Sequence, residues 1–210
     1  MEDSLRSGAD DPALRLVETV LWDGAACPRL PGHLDRLIRS AAMLGWPCDA
    51  AAAARALRGP PGQAARLRLV LAAEGRVEVT AAALPPPVTV WRIGVSAVPL
   101  VSSDPWLRVK STRRATHDAA RAALAPGLDE ILFLNERDEL AEGTITTVFF
   151  DRGQGLCTPP VACGALPGVL RAALLAQGCR EEVLLAADLP RVRLWLGNAL
   201  RGLCPAVIAR

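Results

Sequence analysis

The sequence has no tyrosine and only two histidines, two asparagines and one lysine, Lys110, although 24 of its 210 residues are lysine or arginine. Arginine keeps its charge near neutral pH, whereas a lysine amine can lose its proton and act as a nucleophile. From composition alone, one lysine left on the surface by chance would be the simplest interpretation. The segment that surrounds it, WLRVKSTRRATHDAAR, is what favours a functional role.

Long apolar runs are also missing. No stretch approaches the roughly 20 residues of a membrane span, because proline, arginine or acidic residues interrupt each candidate. The first residues, MEDSLRSGADD, lack the basic flank and the apolar core of a secretory signal. We therefore expect a cytoplasmic protein with no membrane partner.

The charges and cysteines argue against two further classes of site. The formal net charge is +2, and the arginines are spread along the chain without a basic block, so we expect no nucleic-acid partner. The six cysteines form no CxxC pair and no histidine-rich cluster accompanies them. Free, mostly buried thiols are expected, with no metal site.

Strands and helices alternate without a regular βαβ rhythm, which predicts an α+β fold in two lobes. The prolines at 84–87 mark a linker, so we predict a small α+β domain over 1–87 and a larger domain over 88–210 that carries Lys110. Apolar spacing predicts helices over 33–46, 49–58, 114–124 and 169–178. Strands are predicted over 14–23, in a hairpin over 66–84, over 88–98, 129–135 and 144–151, and in the strand-and-turn segment 193–208, with a turn at 136–140.

Four segments together resemble a known family. They are HLDRLIRSA, VKSTRR, DELAEGTITTVFF, and LPGVLR with LGNALRG, and the resemblance covers about residues 16–208. In this order they are similar to the fold-type IV pyridoxal-phosphate (PLP) enzymes, the class IV aminotransferase family, which includes branched-chain and D-amino-acid aminotransferases and aminodeoxychorismate lyase. The resemblance implies a two-domain fold like that of D-amino-acid aminotransferase, PLP in the interdomain cleft, and a homodimer.

The resemblance implies roles for two basic residues. Arg36 matches the arginine that contacts the cofactor phosphate, and a planar guanidinium suits a phosphate because it offers paired donors. The alternative is that Arg36 and Arg39 lie on a solvated helix face. Lys110 matches the lysine that binds the cofactor covalently and then carries a proton.

The resemblance places Glu142 at the pyridinium nitrogen, where a carboxylate keeps the ring protonated and able to accept electrons. Alternatively, Glu139 and Glu142 only decorate a hairpin turn. The chain next to Glu142, Gly143 and Thr144, fits a segment that passes close to the ring.

The resemblance also implies phosphate contacts. Backbone N–H groups at Gly168, Val169 and Leu170 would bind the phosphate at a helix N-terminus. Family transaminases usually have threonine at the position of Leu170, so only its backbone contribution carries over. Asn198 matches a residue that reaches the phosphate, and the alternative is a turn-forming asparagine beside Gly197.

Substrate contacts are implied less directly. Both reaction classes of the family handle carboxylates, so the candidates for a small-molecule carboxylate substrate are Arg108, Arg113, Arg114 and Arg201, although solvated surface arginines are the default. His117 lies seven residues after Lys110, where some relatives carry a tyrosine, and an ordinary half-exposed helix histidine is the alternative.

The variant motifs ETVLWDG, KSTRR, TPPVACGALPGVLR and GNALRGL look most like the lyase-like members. This resemblance implies 4-amino-4-deoxychorismate lyase, which releases 4-aminobenzoate and pyruvate for folate precursor synthesis, with a functional link to aminodeoxychorismate synthase. Thr19 matches a threonine that assists the departing pyruvate, or is a buried strand residue. The alternatives are an aminotransferase acting on branched-chain or D-amino acids, and a non-catalytic PLP-binding protein.

Overall fold

The computed structural model describes Leu5 and residues 8–209. The chain divides into two compact units, one of Met1–Pro86 with Val109–Arg113 and one of Pro87–Arg108 with Arg114–Arg210. The sequence interpretation assigned Lys110 to the larger domain, and this placement differs from the structure, where Lys110 groups with the first unit.

Backbone pairing explains why Lys110 belongs to the first unit. The segment around Lys110 lies beside the first residues of strand β1 (Leu16–Trp22). The Val17 N–H donates to the Lys110 carbonyl at 2.9 Å, and the Thr112 N–H donates to the Arg15 carbonyl at 2.9 Å. The lysine segment is therefore fixed by backbone hydrogen bonds to β1.

The first unit contains a three-stranded antiparallel sheet and two helices. The strands β1, β2 (Ala65–Leu71) and β3 (Val77–Ala83) are neighbours in that order. Along β2, leucines are buried and arginines are exposed at alternate positions, as expected for a strand with one face in the core. The predicted hairpin over 66–84 is confirmed.

Helix α1 (Leu30–Leu44) starts earlier than predicted. Proline in the first turn explains the earlier start, because Pro31 lacks an N–H at a position where the N–H has no partner within the helix. Gly45 ends the helix in the left-handed conformation at φ 71°. Helix α2 (Ala50–Ala56) follows, with Asp49 capping it by accepting from the Ala52 N–H at 2.9 Å.

The second unit contains an eight-stranded mixed sheet. Its strands are β4 (Trp91–Val95), β5 (Glu130–Leu134), β6 (Leu140–Gly143), β7 (Thr147–Asp151), β8 (Cys157–Thr158), β9 (Arg180–Glu181), β10 (Arg193–Asn198) and β11 (Gly202–Ile208). They lie in the order β6-β5-β4-β11-β10-β7-β8-β9. Helices α3 (Ala115–Ala122) and α4 (Val169–Ala176) belong to the same unit. The predicted α+β class is confirmed.

The region after β5 differs from the sequence prediction. A turn was expected at 136–140 and a strand from residue 144. The turn is present at 136–138, but the chain then forms β6 over Leu140–Gly143 and bends at 144–146 before β7. Strand β7 is then buried on both faces: Val148 and Phe150 pack in the main core, and Phe149 packs with Leu170.

The cysteines are free thiols, and four of the six are buried. Burial raises the pKa of the Cys163 thiol to about 12, and the nearby Glu139 carboxylate adds to this effect. A thiol that stays protonated is a poor nucleophile.

Over the part of the chain that the structure describes, no helix combines the length and apolar character needed to cross a membrane.

Replacing Phe150 by alanine tests the core of the second unit. Its side chain is fully buried, so truncation leaves a cavity and is expected to lower the free energy of unfolding by about 3–5 kcal/mol. Urea denaturation followed by tryptophan fluorescence measures the change. The control, Gln154→Ala at an exposed site, should change it by less than about 0.5 kcal/mol. Equal stability of the two variants would contradict the packing described above.

Candidate functional site

In the first unit, strand β1 carries or contacts three of the predicted site residues. Lys110 is joined to Val17 through its backbone, and its side chain is half-buried. Glu18, the next residue of β1, binds Arg36. Thr19 follows and is half-buried. Because successive side chains of a strand point to opposite faces, Thr19 projects away from the face on which Glu18 meets Arg36.

Arg36 belongs to a buried ion-pair cluster with Glu18 and His33. The three residues are at most 5% exposed. Arg36 donates from Nε to Glu18 Oε1 at 2.8 Å and from Nη2 to Oε2 at 2.6 Å, the paired geometry that suits a carboxylate. His33 Nδ1 lies 2.6 Å from Glu18 Oε2. His33 and Arg36 are three residues apart on α1, so one helix face presents both to β1.

The charge on Glu18 is stabilised by this cluster. Burial alone raises the pKa of the carboxyl, but the charge and hydrogen bonds of Arg36, together with His33, outweigh burial and lower it from 4.5 to about 2. The solvated-face alternative therefore does not describe Arg36, whereas Arg39 is exposed. Sequence reasoning missed Glu18, although an acidic residue within the apolar strand LVETVLW was a visible signal.

In the second unit, Glu142 lies on β6 and is buried. Its Oε1 is 2.9 Å from His117 Nε2, and its Oε2 accepts the Leu166 N–H at 2.9 Å. Glu139, by contrast, accepts hydrogen bonds from Arg137 and Asn135. Glu142 is thus a strand residue with fixed partners, and the hairpin-decoration alternative does not describe it.

Glu130 shapes the chain that follows Glu142. It is fully buried at the start of β5 and accepts from the Thr144 N–H at 3.0 Å, the Ile145 N–H at 3.2 Å and the Thr146 hydroxyl at 3.0 Å. A side chain on Gly143 would collide with Thr146 Oγ1 and approach Glu130 to 3.1 Å. Sequence reasoning missed Glu130 because its partners lie 14 to 16 residues away along the chain.

The N-terminus of α4 fits a phosphate group. Gly168 is the N-cap residue and no side chain caps the helix, so the N–H groups of the first turn have no acceptor within it. A Cβ on Gly168 would lie 2.8 Å from Thr147 Oγ1. A Cβ on Gly197 would lie 2.6 Å from Leu170 Cδ2. A Cβ on Gly197 would also lie 2.5 Å from the Gly202 carbonyl oxygen, so the backbone there requires glycine. Leu170 packs into the core and offers no hydroxyl.

The other predicted residues have mostly structural contacts. Asn198 donates to the Ile145 carbonyl at 3.2 Å and accepts from the N–H groups of Leu200 and Arg201, as the turn-forming alternative implies. Arg114 donates to Asp118 at 2.7 Å and to the Thr144 carbonyl at 2.7 Å. The phosphate contact of Asn198 stays a prediction.

The remaining substrate-contact candidates differ in exposure. The Arg201 guanidinium lies over the Trp91 ring at 5.6 Å, Arg108 is half-buried and Arg113 is exposed. His117 is buried at 7% exposure, which differs from the half-exposed helix histidine considered from the sequence.

Replacing Glu18 by glutamine leaves the buried Arg36 charge without its partner. The free energy of unfolding is expected to fall by about 3–5 kcal/mol, the usual cost of removing one partner of a buried ion pair. The folded pKa of about 2 lies below the ordinary 4.5, so the stabilisation is complete above pH 4.5 and is lost as the pH falls towards 2.

Urea denaturation at neutral pH and at about pH 3 measures this dependence. The difference between wild type and Glu18→Gln should shrink at the lower pH. Asp35→Asn on the exposed side of α1 serves as the control and should stay close to wild type. A constant difference at both pH values would contradict the assignment of the stabilisation to the ionised carboxylate.

The chain is similar in sequence and in fold to known proteins. The family model described as amino-transferase class IV matches residues 15–208. A solved candidate amino-acid aminotransferase from Mesorhizobium loti is 42% identical, with a TM-score of 0.86, over 93% of this chain and 100% of that one. A search among curated proteins gives no match.

Two more distant structures share the fold. A candidate 4-amino-4-deoxychorismate lyase from Legionella pneumophila is 21% identical with a TM-score of 0.80, covering 92% of this chain and 82% of that one. A hypothetical aminotransferase from Mycobacterium tuberculosis, solved in a PLP-bound form, is 23% identical with a TM-score of 0.78, covering 92% and 80%. The family model over residues 15–208 and the 42% identical structure show that the chain belongs to the class IV aminotransferase family, whose cofactor is pyridoxal 5′-phosphate.

Proposed function

We propose that the chain is a PLP-dependent 4-amino-4-deoxychorismate lyase that releases 4-aminobenzoate and pyruvate. The observation that carries the PLP chemistry is Glu142, a buried carboxylate with a fixed orientation. The choice of lyase rests on the lyase-like motifs of the sequence, and on Leu170, which stands where transaminases of the family usually have threonine.

When bound, PLP supplies an aldehyde that reacts with amines and a ring that accepts electrons. Glu142 would bind the ring nitrogen and hold a proton there, because the negative charge of the carboxylate favours the protonated ring. Arg36 would bind the phosphate through the part of its guanidinium that Glu18 leaves unengaged, since Glu18 takes Nε and Nη2. The first-turn N–H groups at Val169 and Leu170 would bind phosphate oxygens.

Lys110 would hold the cofactor covalently and, once the substrate amine has replaced it, would remove the proton from the carbon that bears the substrate amino group. Its backbone is anchored to β1, so the side chain starts from a fixed point. Thr19 would donate a hydrogen bond to the departing pyruvate. Arg108, Arg113 and Arg201 are the candidates for the substrate carboxylates, whereas the hydrogen bonds of Arg114 go to Asp118 and Thr144.

An aminotransferase acting on branched-chain or D-amino acids is the second candidate. The 42% identity to the candidate amino-acid aminotransferase from Mesorhizobium loti favours it. Both reactions need the same proton removal by Lys110 and differ in what leaves the substrate afterwards. A non-catalytic PLP-binding protein is the third candidate. For the lyase, we also propose that the chain forms a cytoplasmic homodimer and works beside an aminodeoxychorismate synthase.

Lys110→Ala is expected to abolish formation of 4-aminobenzoate and pyruvate from aminodeoxychorismate generated in place. Both products are measured by chromatography, with PLP-loaded wild type in parallel. Products that form equally with Lys110→Ala would contradict the proposed role of the lysine. Formation of a 2-oxo acid from a branched-chain or D-amino acid, without 4-aminobenzoate from aminodeoxychorismate, would favour the aminotransferase instead.

The single lysine makes a direct test of the cofactor bond possible. Borohydride reduction of the PLP-loaded protein is expected to fix one cofactor per chain on the peptide that contains Lys110, because the chain has no other lysine side chain. Mass spectrometry locates the modification, and Lys110→Ala is the control that should lack it. Modification of the wild type at another site only would contradict the proposal.

A further inference from the structure

The chain contains two histidines, and each is buried against a glutamate. His33 contacts Glu18 through Nδ1, and His117 contacts Glu142 through Nε2. The first pair belongs to the ion-pair cluster of Arg36. In the second pair, the imidazole is the side chain whose contact with the carboxylate of Glu142 the described residues show, beside the backbone N–H of Leu166.

The His117 ring has a packing contact in addition to its contact with Glu142. His117 lies on α3 and its ring packs against Phe133, with the centroids 4.8 Å apart and the planes at 50°. The N-terminus of α3 is itself tied to the chain after β6, because Arg114 donates to the Thr144 carbonyl at 2.7 Å. Packing on one side and the helix anchor on the other leave the imidazole few alternative rotamers.

The His117 Nε2 atom and the Glu142 Oε1 atom share one hydrogen bond. An ionised carboxylate only accepts hydrogen bonds, so the tautomer with the proton on Nε2 is the one that donates to Oε1. The Leu166 N–H donates to Oε2. Each carboxylate oxygen can accept two hydrogen bonds, so one acceptor position on each remains after these contacts. Two donors therefore fix the plane of the carboxylate while leaving acceptor positions for another group.

We propose that His117 is a positioning residue that orients Glu142 towards the ring nitrogen of the cofactor. It acts through Glu142 and does not contact the substrate. The proposal rests on the proposed role of Glu142. It also replaces the substrate contact that the sequence suggested for His117, since the side chain is buried and its Nε2 is engaged.

The test is a double-mutant cycle between His117 and Glu142, read out by the PLP dissociation constant and the visible absorption band of bound PLP. His117→Phe removes the donor and keeps a ring, and should weaken PLP binding about tenfold, the effect of losing a hydrogen bond to a charged group. The absorption band should move towards that of Glu142→Ala. In the Glu142→Ala background, His117→Phe should change the dissociation constant by less than about twofold.

Two further variants control for structural damage. His117→Gln places an amide N–H at a similar reach and should restore both PLP affinity and the absorption band. Thr116→Ala, on the exposed side of the same helix, should match wild type. If His117→Phe does not fold, His117→Asn takes its place in the cycle, because its shorter amide keeps a polar side chain and stops short of Glu142.

A readout without PLP comes from nuclear magnetic resonance of the apoprotein. With two histidines in the chain, the imidazole spectrum is simple. A hydrogen-bonded Nε2–H signal is expected for His117 and should disappear in Glu142→Ala, while the signals of His33 stay unchanged. Persistence of the His117 signal in Glu142→Ala would overturn the hydrogen bond on which the proposal depends.

The outcomes separate this proposal from the one it rests on. If Glu142→Ala changes PLP affinity and the absorption band but His117→Phe does not, the positioning role of His117 is wrong and the role of Glu142 stands. If His117→Phe has its full effect in the Glu142→Ala background, its action does not pass through Glu142 and the proposal is also wrong. If Glu142→Ala changes neither quantity, the role of Glu142 fails and the positioning role fails with it.

Discussion

A carboxylate that is buried away from water needs hydrogen-bond donors from the protein. This requirement determines how the segments that carry the predicted site residues are held in place. Three glutamates of the described chain, Glu18, Glu130 and Glu142, are at most 8% exposed. Uncompensated burial of a charge costs several kcal/mol per ion even after the protein relaxes, so each carboxylate fixes the groups that donate to it. Glu18 fixes a guanidinium, Glu130 fixes a turn, and Glu142 is fixed by an imidazole and a backbone N–H.

The same constraint explains why each unit holds its part of the predicted site in place. In the first unit, Glu18 of β1 binds the Arg36 side chain, and the backbone of β1 is hydrogen-bonded to the backbone at Lys110. Arg36 and Lys110 are therefore both held by the same strand. In the second unit, the turn at 144–146 is held by Glu130 from one side and by Arg114 and Asn198 through its carbonyl groups. The short connection between β6 and β7 is therefore held by hydrogen bonds with Glu130, Arg114 and Asn198.

The side chains of Leu170 and Asn198 are both engaged in contacts within the protein, so the backbone and side-chain contributions to a phosphate site can be considered separately. Leu170 packs with Phe149 and Cys179, and the amide of Asn198 is engaged by the turn that joins β10 to β11. The glycines at 168 and 197 permit the close packing on which this arrangement depends. At the N-terminus of α4, the groups that can donate to an anion therefore include the backbone N–H groups of the first turn, and the Leu170 side chain adds no hydroxyl.

The sequence alone determined the local structure and the residue types of the site. Alternating leucines and arginines determined β2, apolar spacing determined the presence of α1 but not where it starts, and the lone lysine with its neighbours indicated PLP chemistry. These features depend on periodicity and on the chemistry of single residues, which are readable over a few positions.

Only the tertiary structure decided which distant residues meet. Arg15 and Thr112 are hydrogen-bonded across 97 positions, so the membership of the Lys110 segment in the first unit has no local signal. Glu130 and His117 were likewise invisible as partners of the chain around Glu142, because a buried polar side chain takes its role from donors supplied by other elements. The sequence supplied the candidate residues, and long-range hydrogen bonding decided which of them are held by one another.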